Sequence, residues 1–118
     1  MSVITKENQL LKGGEFLIKE SQFVDMFIPE DFNEEQQMIR ETVRTFVEQD
    51  IRPFVDRIEK LEDGLIPSKL DIFADLGLLG THMPESLGGS DLDYITNTLI
   101  GEEVGPSGSF SVSYNAHT

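Results

Sequence analysis

The most regular pattern of apolar and polar positions lies between residues 33 and 58, where apolar side chains recur at spacings of three and four. This spacing predicts one buried stripe along an amphipathic helix. The stripe consists of Ile39, Val43, Phe46, Val47, Ile51, Phe54, Val55 and Ile58. Asn33 and Gln36 form a variant of the capping box, so the helix is expected to begin there. Pro53 lacks the N–H of a continuous helix and predicts a break or kink near Arg52.

Two more helices are predicted further along the chain. Pro67 suits the first turn of one, where a missing N–H costs nothing, and Gly77 suits the left-handed conformation that ends a helix. The apolar face of this helix holds Leu70, Phe73, Ala74 and Leu76. The next helix is terminated by Gly105 and Pro106. Its candidate caps are Ser90, Asp91 and Asp93, and its apolar residues include Leu92, Tyr94, Ile95, Leu99, Ile100 and Val104.

The final segment, SGSFSVSYNAHT, has a different pattern. Phe110, Val112 and Tyr114 alternate with polar residues, and a period of two favours a strand on local grounds. The segment carries these apolar residues up to its end and has no cap. We therefore expect the chain to be part of a longer protein.

Charge and composition exclude several classes of protein. Twenty-two acidic and nine basic residues give a net charge of −13, which repels nucleic acid and anionic lipid surfaces. Without cysteine the chain has no disulfide, thiolate metal site or cysteine nucleophile. No run approaches the roughly 18 apolar residues of a membrane span, and the start, MSVITKENQL, lacks the features of a secretory signal. A cytoplasmic location is predicted.

The glycine pair in MPESLGGSD is the first candidate for chemistry. A phosphate loop needs a lysine and a hydroxyl after its last glycine, and a dinucleotide fold needs a strand before a G-x-G-x-x-G turn. Ser90 and Asp91 follow Gly88 and Gly89, with no lysine nearby. We therefore predict a structural corner, with a nucleotide-binding module as the outlying alternative.

Other candidate groups also fail to form a site. His82 and His117 lie far apart in sequence, and no third metal ligand stands at a suitable spacing. The pairs Glu34-Glu35 and Glu102-Glu103 are adjacent, so on a helix their side chains point about 100° apart and cannot flank one bond. They are expected on solvated faces or helix ends. The serines between 107 and 113 lack a nucleophile elbow. No catalytic, cofactor-binding or metal-binding residue is therefore predicted in this chain.

Residues 76–89, LGLLGTHMPESLGG, followed by Glu-Glu-Val-Gly at 102–105, resemble the amino-terminal helical domain of acyl-CoA dehydrogenases. In that family a Leu-Gly-Leu turn, a Pro-Glu-x-x-Gly-Gly corner and a helix ending near a Glu-Glu pair follow one another. The resemblance extends over about residues 27 to 118. The sequence around Gly13-Gly14-Glu15-Phe16 and the final Ala116-His117 look most like the very-long-chain branch. Many members carry a further glycine where this chain has Asp91.

The resemblance implies an all-α fold, a small helical bundle over 31–118 preceded by an extension over 1–30, with the chain ending before the family's β-domain. The whole enzyme uses FAD to convert fatty acyl-CoA to the α,β-unsaturated thioester in fatty-acid β-oxidation, and passes electrons to electron-transfer flavoprotein. The catalytic glutamate and most flavin contacts belong to later domains, so this fragment alone is expected to be inactive. Helices without their partner domains expose apolar surface, which predicts a homo-oligomer.

The resemblance also implies that the last segment is a helix bordering the acyl-chain pocket. We adopt this prediction over the local one of a strand. By position, the residues expected to face the fatty tail are Ser111, Val112, Tyr114 and Asn115. The alternative function is a free-standing acidic helical protein-interaction module that binds a basic partner.

Overall fold

The structure, a computed structural model, describes residues 10–116. The chain divides into two compact units, Met1–Asn33 and Glu34–Thr118. The described part of the first unit contains three short 3-10 turns, at Glu15–Leu17, Phe23–Asp25 and Pro29–Asp31. Each of these turns contains a carboxylate that accepts a backbone N–H three residues earlier in the chain. None of the described residues of this unit is fully buried.

The second unit begins with α1 (Glu34–Phe46), directly after Asn33 as predicted. The chain then passes through a π-helical turn (Val47–Ile51) and a 3-10 turn (Arg52–Phe54) before α2 (Val55–Glu59). The predicted break near Arg52 is confirmed, because Pro53 cannot donate to the helical ladder and the backbone changes its hydrogen-bonding pattern around it.

The change of helix type also alters which side chains face inward. Val43, Phe46, Ile51 and Ile58 of the predicted stripe are buried, but Val55 is 37% exposed. A π turn and a 3-10 turn rotate the chain by amounts different from an α-helix, so a stripe extrapolated at 3.6 residues per turn no longer holds at every position beyond them.

α3 (Leu65–Asp75) contains Pro67 in its first turn, and Gly77 follows it with a φ of +76°. The N–H of Gly77 donates to the carbonyl of Ala74 at 2.8 Å, and that of Leu78 donates to Phe73 at 3.1 Å. This pair of bonds is a Schellman motif. The predicted helix end at Gly77 is therefore confirmed.

α4 (Tyr94–Val104) is capped by Asp93, whose Oδ1 accepts the N–H of Thr96 at 2.7 Å. A 3-10 turn (Gly105–Ser107) leads to α5 (Ser109–Asn115). The strand favoured by local alternation was therefore wrong, and the helix implied by the family resemblance is confirmed. Phe110 and Tyr114 are four residues apart, so both face the core of a helix, whereas Val112 faces outward.

The core of the second unit lies between α1, α3, α4 and α5. Its buried residues are Val43, Phe46, Val47, Ile51, Ile58, Phe73, Leu78, Ile100, Val104, Phe110 and Tyr114. Residues 10–116 contain no strand, and the predicted all-α fold is confirmed for this part of the chain. Within the same range, no helix has both the length and the apolar character that crossing a membrane requires.

Candidate functional site

The short helix α5 presents three different faces. Phe110 and Tyr114 pack inward against the ring of Phe73, with ring centroids 5.8 and 5.1 Å from it. Ser111 is buried beside Asn115, whose Nδ2 donates to the Ser111 hydroxyl at 3.2 Å. Val112 lies on the outer face and is 71% exposed. An apolar side chain so exposed on an otherwise well-packed helix is available to contact another molecule or domain.

A cleft of about 350 Å³ opens beside α5. It is lined by His82, Tyr94, Asn97, Tyr114 and Asn115. The corner after α3 supplies the histidine, α4 supplies Tyr94 and Asn97, and α5 supplies the remaining two side chains. The cleft therefore combines aromatic rings with a few hydrogen-bonding groups, as small-molecule sites commonly do.

A network of hydrogen bonds fixes the polar residues below the cleft. Thr81 is almost completely buried, and its Oγ1 donates to Oδ1 of Asn97 at 2.6 Å. Nδ2 of Asn97 donates to the carbonyls of Leu92 and Asp93, both at 2.9 Å. The amide of Asn97 thus has a single satisfied orientation.

Tyr114 joins the same network through a hydrogen bond between its hydroxyl and Thr81. Burial raises the pKa of the Tyr114 hydroxyl, and the bond to Thr81 opposes this shift only in part. The hydroxyl is therefore neutral at physiological pH and offers hydrogen bonding, not charge, at this edge of the cleft.

The structure brings together two of the four residues predicted to face a fatty tail. Tyr114 and Asn115 line the cleft, Ser111 lies behind Asn115, and Val112 points away to the exposed outer face. His82, Tyr94 and Asn97 were not foreseen as lining residues. Sequence spacing carried no signal for them, because their approach to α5 depends on how the corner and α4 pack. Tyr94, predicted on an apolar face, is in fact 87% exposed.

The corner at 84–89 uses its backbone amides internally. Gly88 has a φ of +85°, and a Cβ on Gly89 would lie 2.1 Å from the carbonyl oxygen of Met83. The N–H groups of residues 87 to 92 all donate to backbone carbonyls between residues 80 and 85. The amides of this run are therefore not available to cradle a phosphate. The predicted structural role of the two glycines is confirmed, and the bonding of this corner gives the nucleotide-binding alternative no support.

Asp91 has a φ of +48°, one of two positive values among the described non-glycine residues. This is the position at which the resemblance implies glycine in many relatives. Aspartate tolerates the left-handed region better than most residues. The corner therefore keeps a left-handed residue here although the side chain differs.

The Glu102-Glu103 pair lies in the last turn of α4, at a helix end as predicted, and of the two only Glu102 is exposed. The side chain of Glu103 is only 11% exposed. It accepts from Nε of Arg40 at 2.9 Å and from Nε of Arg44 at 2.7 Å. Two arginines one helical turn apart on α1 thus draw this carboxylate inward and join α1 to α4.

No cluster of three or more histidine, aspartate or glutamate side chains suited to a metal ion occurs within the residues that the structure describes. His82 is exposed at the cleft, and His117 lies outside the described residues. The groups that line the cleft are hydroxyl, amide and imidazole, so the cleft can bind and orient a ligand without carrying a carboxylate base.

Comparison with known proteins gives consistent results. The family described as acyl-CoA dehydrogenase, N-terminal domain, matches residues 33–118. A probable acyl-CoA dehydrogenase of Bacillus subtilis (strain 168) is 42% identical over 112 residues, which are 95% of this chain and 19% of that protein. The mitochondrial isovaleryl-CoA dehydrogenase of Solanum tuberosum is 32% identical over 91 residues, 74% of this chain and 22% of that enzyme.

Among solved structures, an acyl-CoA dehydrogenase of Bacillus anthracis complexed with FAD matches with a TM-score of 0.81 and 35% sequence identity. The match covers 89% of this chain and 18% of that one. The chain thus spans about a fifth of the length of the relatives it matches. Since the family match covers well over half of its residues, the chain belongs to the acyl-CoA dehydrogenase N-terminal domain family.

Proposed function

We propose that this chain is the amino-terminal domain of an FAD-dependent acyl-CoA dehydrogenase, which oxidises fatty acyl-CoA to the α,β-unsaturated thioester in fatty-acid β-oxidation. Its role in that enzyme is to form part of the acyl-chain pocket. The observation that carries this role is the geometry of α5, whose inner face is fixed in the aromatic core while Val112 is left 71% exposed on the outer face. A rigid helix with one exposed apolar side chain suits the wall of an apolar pocket.

The four proposed pocket residues contribute differently. Val112 supplies apolar contact, and Tyr114 and Asn115 supply the edge of the neighbouring cleft. Ser111 holds the Asn115 side chain and acts from behind it. A fatty tail lying along α5 would therefore meet Val112 first.

We assign no flavin site to this chain, since the amides of residues 87 to 92 in the glycine corner are bonded to carbonyls. FAD, which accepts the hydride when bound, and the base that removes the α-proton are accordingly assigned to the parts of the enzyme outside this chain. We expect the isolated chain to be inactive.

We further propose that the parent enzyme belongs to the very-long-chain branch of the family. The Bacillus subtilis relative aligns over 95% of this chain, so its alignment includes most of the first unit. The 112 aligned residues are 19% of the Bacillus subtilis protein. The 91 residues that align with the isovaleryl-CoA dehydrogenase are fewer, yet they are 22% of that enzyme. The relative that shares the first unit is thus clearly longer than the enzyme named for a short branched substrate. This difference in polypeptide length supports a branch other than that of the isovaleryl-CoA dehydrogenase.

Three other assignments belong to the same proposal. Electron-transfer flavoprotein is the proposed electron acceptor of the parent enzyme, the proposed location is cytoplasmic, and the isolated chain is proposed to form a homo-oligomer. Exposed apolar residues of the second unit support the self-association: Met38, Leu61, Leu87 and Val112 are each about 70% exposed. Light scattering of the chain at high concentration would show a strict monomer if this surface does not associate.

The decisive experiment is to recover the parent reading frame and assay the enzyme with acyl-CoA substrates of increasing chain length. A substitution of Val112→Trp fills space on the outer face of α5. We expect KM for the longest substrates to rise on the order of tenfold, as changes of pocket volume do, with little change for the shortest. Met38→Trp is the control, because Met38 is equally exposed but lies on α1.

Two results would overturn the proposal. One is a wild-type parent that oxidises no acyl-CoA. The other is a reading frame that stops at Thr118 together with a basic partner released by salt, which would favour a free-standing acidic interaction module. The net charge of −13 is the observation that favours this second function.

A further inference from the structure

The amino-terminal end of α5 is held by a side chain from another helix. Oε1 of Glu59, the last residue of α2, accepts the backbone N–H of Ser109 at 2.8 Å. Oε2 of the same carboxylate accepts the Ser109 hydroxyl, also at 2.8 Å. Both oxygens of Glu59 are therefore used on the first residue of α5.

Gly108 makes this contact possible. Its φ of +60° and ψ of −128° fall in a region of backbone conformation that other residues rarely adopt. A Cβ at this position would also lie 2.5 Å from Oε1 of Glu59. The glycine thus leaves room for the carboxylate and turns the chain so that the Ser109 N–H points at it.

α5 depends on such a contact more than the longer helices do. It has seven residues, and helices of this length are unstable in isolation. Its own N-cap residue is Gly108, which has no side chain to bond the free N–H groups of the first turn. A carboxylate at that end also interacts favourably with the helix dipole. Glu59 supplies both the missing acceptor and the negative charge.

Core packing and the Glu59 contact constrain α5 in different ways. Phe110 and Tyr114 fix its inner face against Phe73, but ring contacts tolerate small sliding along the helix axis. The two hydrogen bonds to Glu59 are directional and lie at one end of the helix. They therefore set the position of the amino-terminal end of α5, and with it that of Val112, while the bond between Tyr114 and Thr81 holds the other end.

We propose that Glu59 is a positioning residue for the acyl-chain wall: by holding the first residue of α5, it determines where Val112 and Asn115 stand. This inference rests on the proposed function. Glu59 does not touch the fatty tail itself and acts through α5. A tail too short to reach α5 is insensitive to Glu59, whereas a long tail that lies along α5 depends on it.

The first test uses the 118-residue chain and does not involve substrate. Hydrogen exchange of the Ser109 amide is measured in the wild type and in Glu59→Ala, Glu59→Gln and Asp56→Asn. Asp56 lies on the same helix, is exposed, and changes charge in the same way. We expect roughly fivefold faster exchange at Ser109 in Glu59→Ala, the factor by which losing an N-cap typically shifts a helix equilibrium. The exchange rate of Ser109 in Glu59→Gln should lie between those of the wild type and Glu59→Ala, because the amide oxygen of glutamine can accept one of the two hydrogen bonds. The Asp56→Asn variant should match the wild type.

The second test uses the full-length dehydrogenase. Glu59→Gln should raise KM for the longest acyl-CoA substrates about threefold to fivefold, leaving kcat and the shortest substrates nearly unchanged. A loss of stability alone would lower activity on all chain lengths equally. Unchanged exchange at Ser109, or a uniform effect on every chain length, would overturn the inference. A wild-type enzyme without acyl-CoA dehydrogenase activity would instead refute the proposed function, and the exchange result would then stand by itself.

Discussion

Two helix interfaces in the second unit are built in contrasting ways. α3 and α5 meet through aromatic rings, with Phe73 between Phe110 and Tyr114 and a second contact from Phe46 to Phe110 at 5.4 Å. α1 and α4 meet through apolar residues flanked by polar bonds. In one of these polar bonds, Nε2 of Gln36 donates to the hydroxyl of Thr96 at 3.1 Å, and the bond is buried.

The contrast separates two contributions to the fold: the free energy that stabilises it, and the selection of one alignment of two helices along each other. Aromatic rings bury large areas and gain a further increment from edge-to-face geometry, but they specify position only loosely. A buried hydrogen bond adds little net stability and costs much when one partner is lost, so it penalises any other alignment of the two helices. We therefore expect the α3–α5 interface to supply most of the folding energy and the α1–α4 bonds to select the arrangement.

The largest expected effect is at the aromatic interface. Phe110→Ala removes a fully buried ring that contacts both Phe46 and Phe73, and should lower the free energy of unfolding by about 3–5 kcal/mol. Val112→Ala on the same helix is the control and should change it by less than about 0.5 kcal/mol, because Val112 is exposed. Urea unfolding followed by circular dichroism measures both. Equal effects of the two substitutions would contradict the division between inner and outer faces of α5.

The buried polar bond should show a smaller effect with a distinctive pattern. Gln36→Met or Thr96→Val alone leaves one buried partner unsatisfied and should cost about 1–3 kcal/mol. The double variant should be less destabilised than the sum of the two, since both polar groups are then gone. Thr98→Val on the exposed side of α4 is the control, with an expected change below about 0.5 kcal/mol. Strict additivity of the two substitutions would show that the bond does not select the register.

Local rules predicted much of this fold. Pro53 and Gly77 act through their own backbone geometry, so their effects on helix breaks and ends follow from one residue and its neighbours. The seven-residue α5 is a different case. Its alternating residues fit a strand as well as a helix, and only the resemblance to a family favoured the helix. Packing of Phe110 and Tyr114 against Phe73 decides this segment, and no local pattern contains that contact.

The candidate site was predicted less completely than the fold, for the same physical reason. Tyr114 and Asn115 were named because they belong to one segment, whereas His82 and Tyr94 reach the cleft from elements far away in sequence. The inward position of Glu103 likewise depends on Arg40 and Arg44 from another helix. Side chains whose placement depends on partners 50 or more residues away, as Ser109 does on Glu59, leave no mark in local spacing.

The two ion pairs that Glu103 forms with Arg40 and Arg44 should differ in how strongly salt weakens them. The side chain of Arg40 is 18% exposed, and that of Arg44 is 50% exposed. In roughly 1 M salt, exposed pairs are largely screened and buried pairs much less so. The loss of stability caused by Arg44→Gln should therefore shrink in high salt, whereas that of Arg40→Gln should persist. Arg52→Gln is the control, because Arg52 forms an exposed pair with Glu48, four residues earlier in the chain. Equal salt dependence at Arg40 and Arg44 would contradict the prediction.

The smallest expected effect is the pH dependence of the Glu59 contact. Hydrogen bonds from the N–H and the hydroxyl of Ser109 lower the pKa of Glu59 below its ordinary value of 4.5. A lowered pKa in the folded state means that the contact contributes fully above pH 4.5 and is lost as the pH falls through the folded-state value. The difference in unfolding free energy between wild type and Glu59→Gln should therefore be constant near neutral pH and shrink in acid. Urea unfolding from neutral to acid pH measures this difference in free energy. The contributions of the other carboxylates are the same in both proteins and cancel. A gap that widens on acidification would show that the carboxylate of Glu59 does not hold α5.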